Sequence, residues 1–69
     1  MNVSARNLLK GTIKSLVVGV VSAEVVLEVA PGVEVAAVIT KASSEKLGLT
    51  LGQDVYAVIK ASDVMLAVD

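Results

Sequence analysis

Three short stretches of this 69-residue chain carry side chains suited to holding a small oxyanion. The first is Ser4-Ala5-Arg6-Asn7, which offers a hydroxyl, a guanidinium, a carboxamide and free backbone N–H groups in consecutive positions. Arginine presents a fixed fork of donors that matches tetrahedral or planar oxyanions. On spacing alone the tetrad reads more readily as a polar, partly frayed N-terminus. The second stretch is Thr40 with Ser43, at the start of a helix-forming segment. Thr40 is placed to cap that helix, and both hydroxyls then lie at its positive end beside uncovered N–H groups, an arrangement that suits an anion. Ordinary capping explains Thr40 by itself. The third is Lys60, which closes an apolar run and brings a mobile point charge. It is either simply exposed, paired with Asp63, or a ligand. Taken singly, none of the three makes a site.

Catalytic constellations are missing. The chain has no histidine and no cysteine, which removes the usual general base and thiolate nucleophile, and with them the commonest zinc ligands. Glu24 and Glu28 lie about 13 Å apart along an extended chain, too far to act as a close carboxylate pair. Gly48 and Gly52 lack the Lys-Ser/Thr that would follow in a phosphate-binding loop. These residues describe a binding protein, not an enzyme, with no metal site. Six basic against seven acidic residues, with a single aromatic, Tyr56, give poor material for gripping nucleic acid. That task needs a clustered positive face and stacking platforms.

The elements that must position these residues are mostly strands. Asn7 to Val21 mixes alternation with β-branched residues and predicts one long strand, or two with a bend near Gly19. Ser22 to Ala30 sets Glu24, Val26 and Glu28 on one face and Val25, Leu27 and Val29 on the other. Pro31-Gly32 predicts a hairpin into a strand from Val33 to Thr40. A short helix is expected from Ala42 to Leu47, with Gly48 as its stop, then a loop from Leu49 to Asp54. Val55 to Ala61 reads as a strand and Val64 to Val68 as a final short one, parted by Ser62-Asp63. Five strands with one short helix before the fourth suggest a mainly β fold, a small closed or half-closed Greek-key barrel of OB type. No linker, repeat or low-complexity run divides residues 1–69, so one domain is expected.

That domain is light in its interior. A chain of this size buries only about 60% of its unfolded surface. Here 55% of residues are apolar, yet there is no Phe and no Trp to fill a core. Without disulfides or a structural metal, the remaining route to stability is self-association, which would cover leftover apolar strand faces. A membrane helix does not account for the mean hydropathy of +0.81. The longest uncharged run, Ser15 to Ala23, is nine residues against the roughly 20 that a spanning helix needs. Arg6, Lys10 and Lys14 interrupt what would be the apolar core of a secretory signal, so a soluble, cytoplasmic protein is expected.

The separate pieces resemble one known family. The sequence is similar to the molbindins, small Mop-domain proteins of the TOBE/OB-like group that bind molybdate and tungstate. The likeness runs through Ser4-Ala5-Arg6-Asn7, Leu9-Lys10-Gly11 and Gly19-Val20-Val21-Ser22-Ala23-Glu24-Val25. It continues in Val38-Ile39-Thr40, Ser43 and Leu47-Gly48-Leu49, and ends in Val58-Ile59-Lys60-Ala61-Ser62-Asp63-Val64-Met65-Leu66-Ala67. It covers essentially the whole chain. The resemblance implies an OB-like barrel assembled as a hexamer, a trimer of dimers, with oxyanions held between subunits for intracellular molybdenum storage and homeostasis. It implies that Ser4, Ala5, Arg6, Thr40, Ser43, Lys60 and Ala61 form one site, with Asn7 and Ser62 behind it. It also implies a second class of site near the symmetry axes, which Gly19, Val20, Val21 and Ser22 would line through backbone N–H groups. The ligand stays a tetrahedral oxyanion, and no separate cofactor is implied. Two other readings remain open on the sequence. One is an oligomerising structural or regulatory OB-type module with no ligand of its own, and the other an OB module for single-stranded nucleic acid. Retention of molybdate in equilibrium dialysis separates them.

Overall fold

A computed structural model describes all residues, 1–69. Its strands are β1 (Asn7–Val18), β2 (Ser22–Ala30), β3 (Val33–Thr40) and β4 (Asp54–Ile59), with one helix, α1 (Lys41–Leu47), between the last two. A single 3₁₀ turn, Ala61–Asp63, follows β4. The strands form one antiparallel sheet in the order β3-β2-β1-β4. Three consecutive strands form a meander and the fourth returns to lie beside the first, which is the Greek-key arrangement.

Strand β1 is long because it serves two neighbours with different halves. Asn7 to Thr12 pair with β4, and Thr12 to Val18 pair with β2. The pairing slips between Ile13 and Ser15, so Lys14 is the extra residue of a bulge. A bulge bends its strand and increases the local twist, which is how one sheet curls toward a barrel. The curl brings chain close to chain at Gly11. A Cβ there would lie 2.8 Å from the Glu28 carbonyl oxygen and 3.0 Å from Val29 Cγ1, so only glycine fits. The loop before β4 is tied to the bulge by two backbone bonds. The Ile13 N–H donates to the Gln53 carbonyl (3.0 Å), and the Gly52 N–H donates to the Ile13 carbonyl (2.9 Å).

Helix α1 begins where Thr40 accepts a bond from the Ser43 N–H, and it ends at Gly48, whose positive φ closes the last turn. Ser44 is buried against the sheet with its hydroxyl donating to the Lys41 carbonyl at 2.7 Å. Predicted and observed helix differ only at Lys41.

The core consists of Ile13, Val25 and Leu27, with Leu16, Val29, Ile39, Leu49, Val55 and Ala57 packed partly against it. Only six of 69 residues are buried, so the light interior expected from composition is what forms. Apolar side chains remain uncovered at both ends, including Val17, Val20, Val21 and Val38 at one pole and Met65, Leu66 and Val68 in the tail. No helix is long and apolar enough to cross a membrane.

Two expectations are corrected. The sheet has four strands, not five, because Val64–Val68 does not become a strand. A strand exists only as half of a ladder, and this segment joins none in its own chain; all its residues are exposed. The barrel is therefore half-closed, with β3 and β4 as free edges. In addition, β4 ends at Ile59, and Ala61 belongs to the 3₁₀ turn rather than to the strand.

Candidate functional site

The register of β1 against β4 assembles the main cluster. Asn7, first in β1, lies opposite Ile59, last in β4, although the two are 52 positions apart in the chain. The Asn7 side-chain amide reinforces the junction, Nδ2 donating to the Ile59 carbonyl at 3.2 Å. The residues that leave the sheet here therefore leave together: Arg6, Ala5 and Ser4 on one side, Lys60, Ala61 and Ser62 on the other. They line an open cleft of about 500 Å³, completed by Val58 and Asp63. The 3₁₀ turn shapes its floor, the Asp63 N–H donating to the Lys60 carbonyl at 2.9 Å and the Val64 N–H to the Ala61 carbonyl at 3.3 Å.

The charges in this cleft are free to act on a ligand. The ion pairs of the protein are Lys14–Glu28 (3.9 Å) and Lys41–Glu45 (3.8 Å). Arg6 and Lys60 take part in neither, and the alternative reading of Lys60 as a partner of Asp63 is not realised. Two cations, two hydroxyls and the turning backbone converge on one solvent-open volume. Such a set can replace part of the hydration shell of a small anion with charge-assisted donors.

Thr40 and Ser43 lie elsewhere. Thr40 pairs with Ser22 at the far end of β2, beside the point where β1 ends at Val18. From Asn7 to Val18 the strand covers up to about 36 Å at 3.3 Å per residue, a length equal to the longest dimension of the molecule, 36 Å. Within one chain, then, the Arg6–Lys60 cluster and the Thr40–Ser43 pair occupy opposite poles. The hydroxyls of the second cluster are ordered. Thr40 Oγ1 accepts from the Ser43 N–H (3.0 Å) and donates to Ser43 Oγ (2.7 Å). The Ser43 hydroxyl accepts the Thr40 proton and donates to no group of its own chain.

Gly19, Val20, Val21 and Ser22 sit at this second pole. The Gly19 N–H donates to the Ser22 carbonyl (2.7 Å), and the Val21 carbonyl accepts from the Lys41 N–H (2.9 Å), which ties the turn to the start of α1. Val20 and Val21 are among the most exposed apolar residues of the chain. Two lining residues were not anticipated as part of the cleft, Val58 and Asp63. Asp63 could have been found from its place three residues beyond Lys60, had the 3₁₀ turn been foreseen. A second depression of about 300 Å³ is lined by Lys10, Thr12, Glu28 and Asp54 among others. Thr12 donates to Asp54 Oδ1 there (3.2 Å), and its mixed charges favour no anion. No three His, Cys, Asp or Glu side chains come together as a cation site.

Comparison with known proteins identifies the family and the fold. Residues 3–66 match the TOBE domain family. The chain is 48% identical over 66 residues to Molybdenum-pterin-binding protein 1 of Clostridium pasteurianum, covering 96% of this chain and 97% of the relative. Its structure superposes on MopII of the same organism with a TM-score of 0.91 at 46% identity, over 97% of this chain and all of that one. It also superposes on the cytoplasmic molybdate-binding protein ModG with molybdate bound, with a TM-score of 0.93 at 45% identity. There it covers all of this chain and 49% of the longer one. An OB-like half-barrel with these motifs and these relatives places the chain in the TOBE domain family, among its small Mop-type members.

Proposed function

We propose that this protein binds molybdate, and by the same chemistry tungstate, at sites built between copies of itself, and that it serves as a cytoplasmic molybdenum store. The observation that carries the reading is the separation of the two donor clusters. Arg6 and Lys60 supply charge at one pole, while Thr40 and Ser43 supply hydroxyl and N–H donors at the other. A single chain cannot fold one onto the other, but a neighbouring copy can present its Thr40 and Ser43 to this copy's Arg6 and Lys60. The names of the relatives support the ligand. The exposed apolar residues at both poles and the unpaired tail support association, with a hexamer built as a trimer of dimers as the assembly.

The physics of the composite site follows from its parts. A dianion leaving water loses a large solvation energy, which several charged and neutral donors must offset together. Arg6 gives a bidentate fork, Lys60 a point charge, and Ser4, Ser43, Thr40 and the backbone around Ala5 and Ala61 the rest. Asn7 holds the strand junction from behind through the Ile59 carbonyl, and Ser62 adds a second hydroxyl at the cleft wall. Gly19 to Ser22 offers a separate backbone-lined site where copies meet. Nothing in this donor set makes or breaks a bond, so the anion is held and released unchanged.

Native mass spectrometry with and without molybdate tests the proposal directly. The expected result is a defined oligomer, six chains, that gains whole-number increments of molybdate. A monomer, or an oligomer that takes up no molybdate, overturns it.

A further inference from the structure

Asp63 is the only acidic side chain in a cleft otherwise furnished with cations and hydroxyls. The turn holds it in place through its own backbone N–H on the Lys60 carbonyl. Its carboxylate, however, is neutralised by nothing in the chain. It takes no part in either ion pair and accepts no hydrogen bond from another residue. We propose that Asp63 is the affinity-limiting residue of the anion cleft: its uncompensated charge opposes a bound dianion and keeps that anion exchangeable. This inference rests on the oxyanion-binding reading of the same cleft.

Size and charge carry the argument. A volume of about 500 Å³ is roughly 10 Å across, so any anion inside lies within about one Debye length of Asp63 at 0.1 M salt. Arg6, Lys60 and Asp63 together present one net positive charge to a ligand carrying two negative ones. Repulsion from Asp63 is proportional to ligand charge, so a dianion is opposed twice as strongly as a monoanion of the same shape. A residue that merely positioned Arg6 or Lys60 would behave oppositely, since its loss would weaken binding of both anions.

The test is calorimetric titration of the full chain with molybdate and with perrhenate, a tetrahedral monoanion. Wild type is compared with Asp63→Asn, Asp63→Ser and Asp63→Glu. The two neutral variants are expected to bind molybdate about tenfold more tightly and perrhenate about threefold more tightly, with Asp63→Glu close to wild type. In 1 M salt, where the Debye length falls to about 3 Å, most of the gain should vanish. Unchanged or weaker molybdate binding by the neutral variants overturns the inference, as does an equal gain for the two anions. Wild-type protein that takes up no molybdate overturns the binding reading along with it, whereas wild-type uptake with no gain in the variants overturns this inference alone.

Discussion

Arg6→Ala removes a guanidinium that makes no ion pair and no hydrogen bond within its own chain. Its effect should therefore fall almost entirely on the ligand. Hydrogen bonds to charged groups contribute about 1.5–3 kcal/mol each, which is about ten- to 150-fold in affinity for a single strong contact. Loss of a bidentate pair should place the variant toward the upper part of that range. The folded chain should hardly notice, because exposed positions without structural partners shift stability by less than about 0.5 kcal/mol. Titration calorimetry with molybdate measures the affinity, and thermal unfolding of the ligand-free protein measures the fold. Arg6→Lys should be intermediate, since it keeps the charge and loses the fork. Unchanged molybdate affinity in Arg6→Ala would refute the site. Loss of the oligomer in the absence of ligand would show that Arg6 serves assembly instead.

Three further outcomes follow from the geometry. Gly11→Ala forces a Cβ to within 2.8 Å of the Glu28 carbonyl oxygen, so β1 and β2 must part, and urea unfolding should show a loss of about 1–3 kcal/mol. Thr40→Val removes the acceptor for the Ser43 N–H and the proton that orients the Ser43 hydroxyl. It should cost about 1 kcal/mol of stability as a lost cap and weaken molybdate binding as well, whereas Ser43→Ala should weaken binding and leave the cap intact. Deleting Val64–Asp69 removes only exposed residues from the single chain, so circular dichroism should be nearly unchanged while sedimentation shows smaller assemblies than wild type. An unaltered sedimentation profile would separate the tail from association.

Much of the local structure can be read from the chain. Alternation in Ser22 to Ala30, Pro31-Gly32 as a hairpin, Thr40 as a cap and Gly48 as a stop are each decided by neighbours within a few residues. They appear in the structure where expected. The same holds for the thin core, because a chain without Phe or Trp has little to bury. The misreadings share one cause. Val64–Val68 has the composition of a strand, but composition does not supply a partner, and within its own chain the segment has none. Lys14 as the bulge and Gly11 as the point of closest approach depend on how β1 divides itself between β2 and β4, and no local pattern records that.

The candidate site divides in the same way. Residue chemistry alone singled out Ser4, Arg6, Thr40, Ser43 and Lys60, and resemblance to known sequences suggested that they act together. By itself the sequence determined which residues carry donors suited to an anion and where β2, β3 and the helix form, since donor chemistry and backbone periodicity are properties of nearby atoms. Only the tertiary structure decided that Arg6, Lys60 and Asp63 line one cleft, and that Thr40 and Ser43 stand at the opposite pole. Antiparallel register is a pairing between residues some fifty positions apart, set by the bulge, the turns and the burial of Ile13, Val25 and Leu27 all at once.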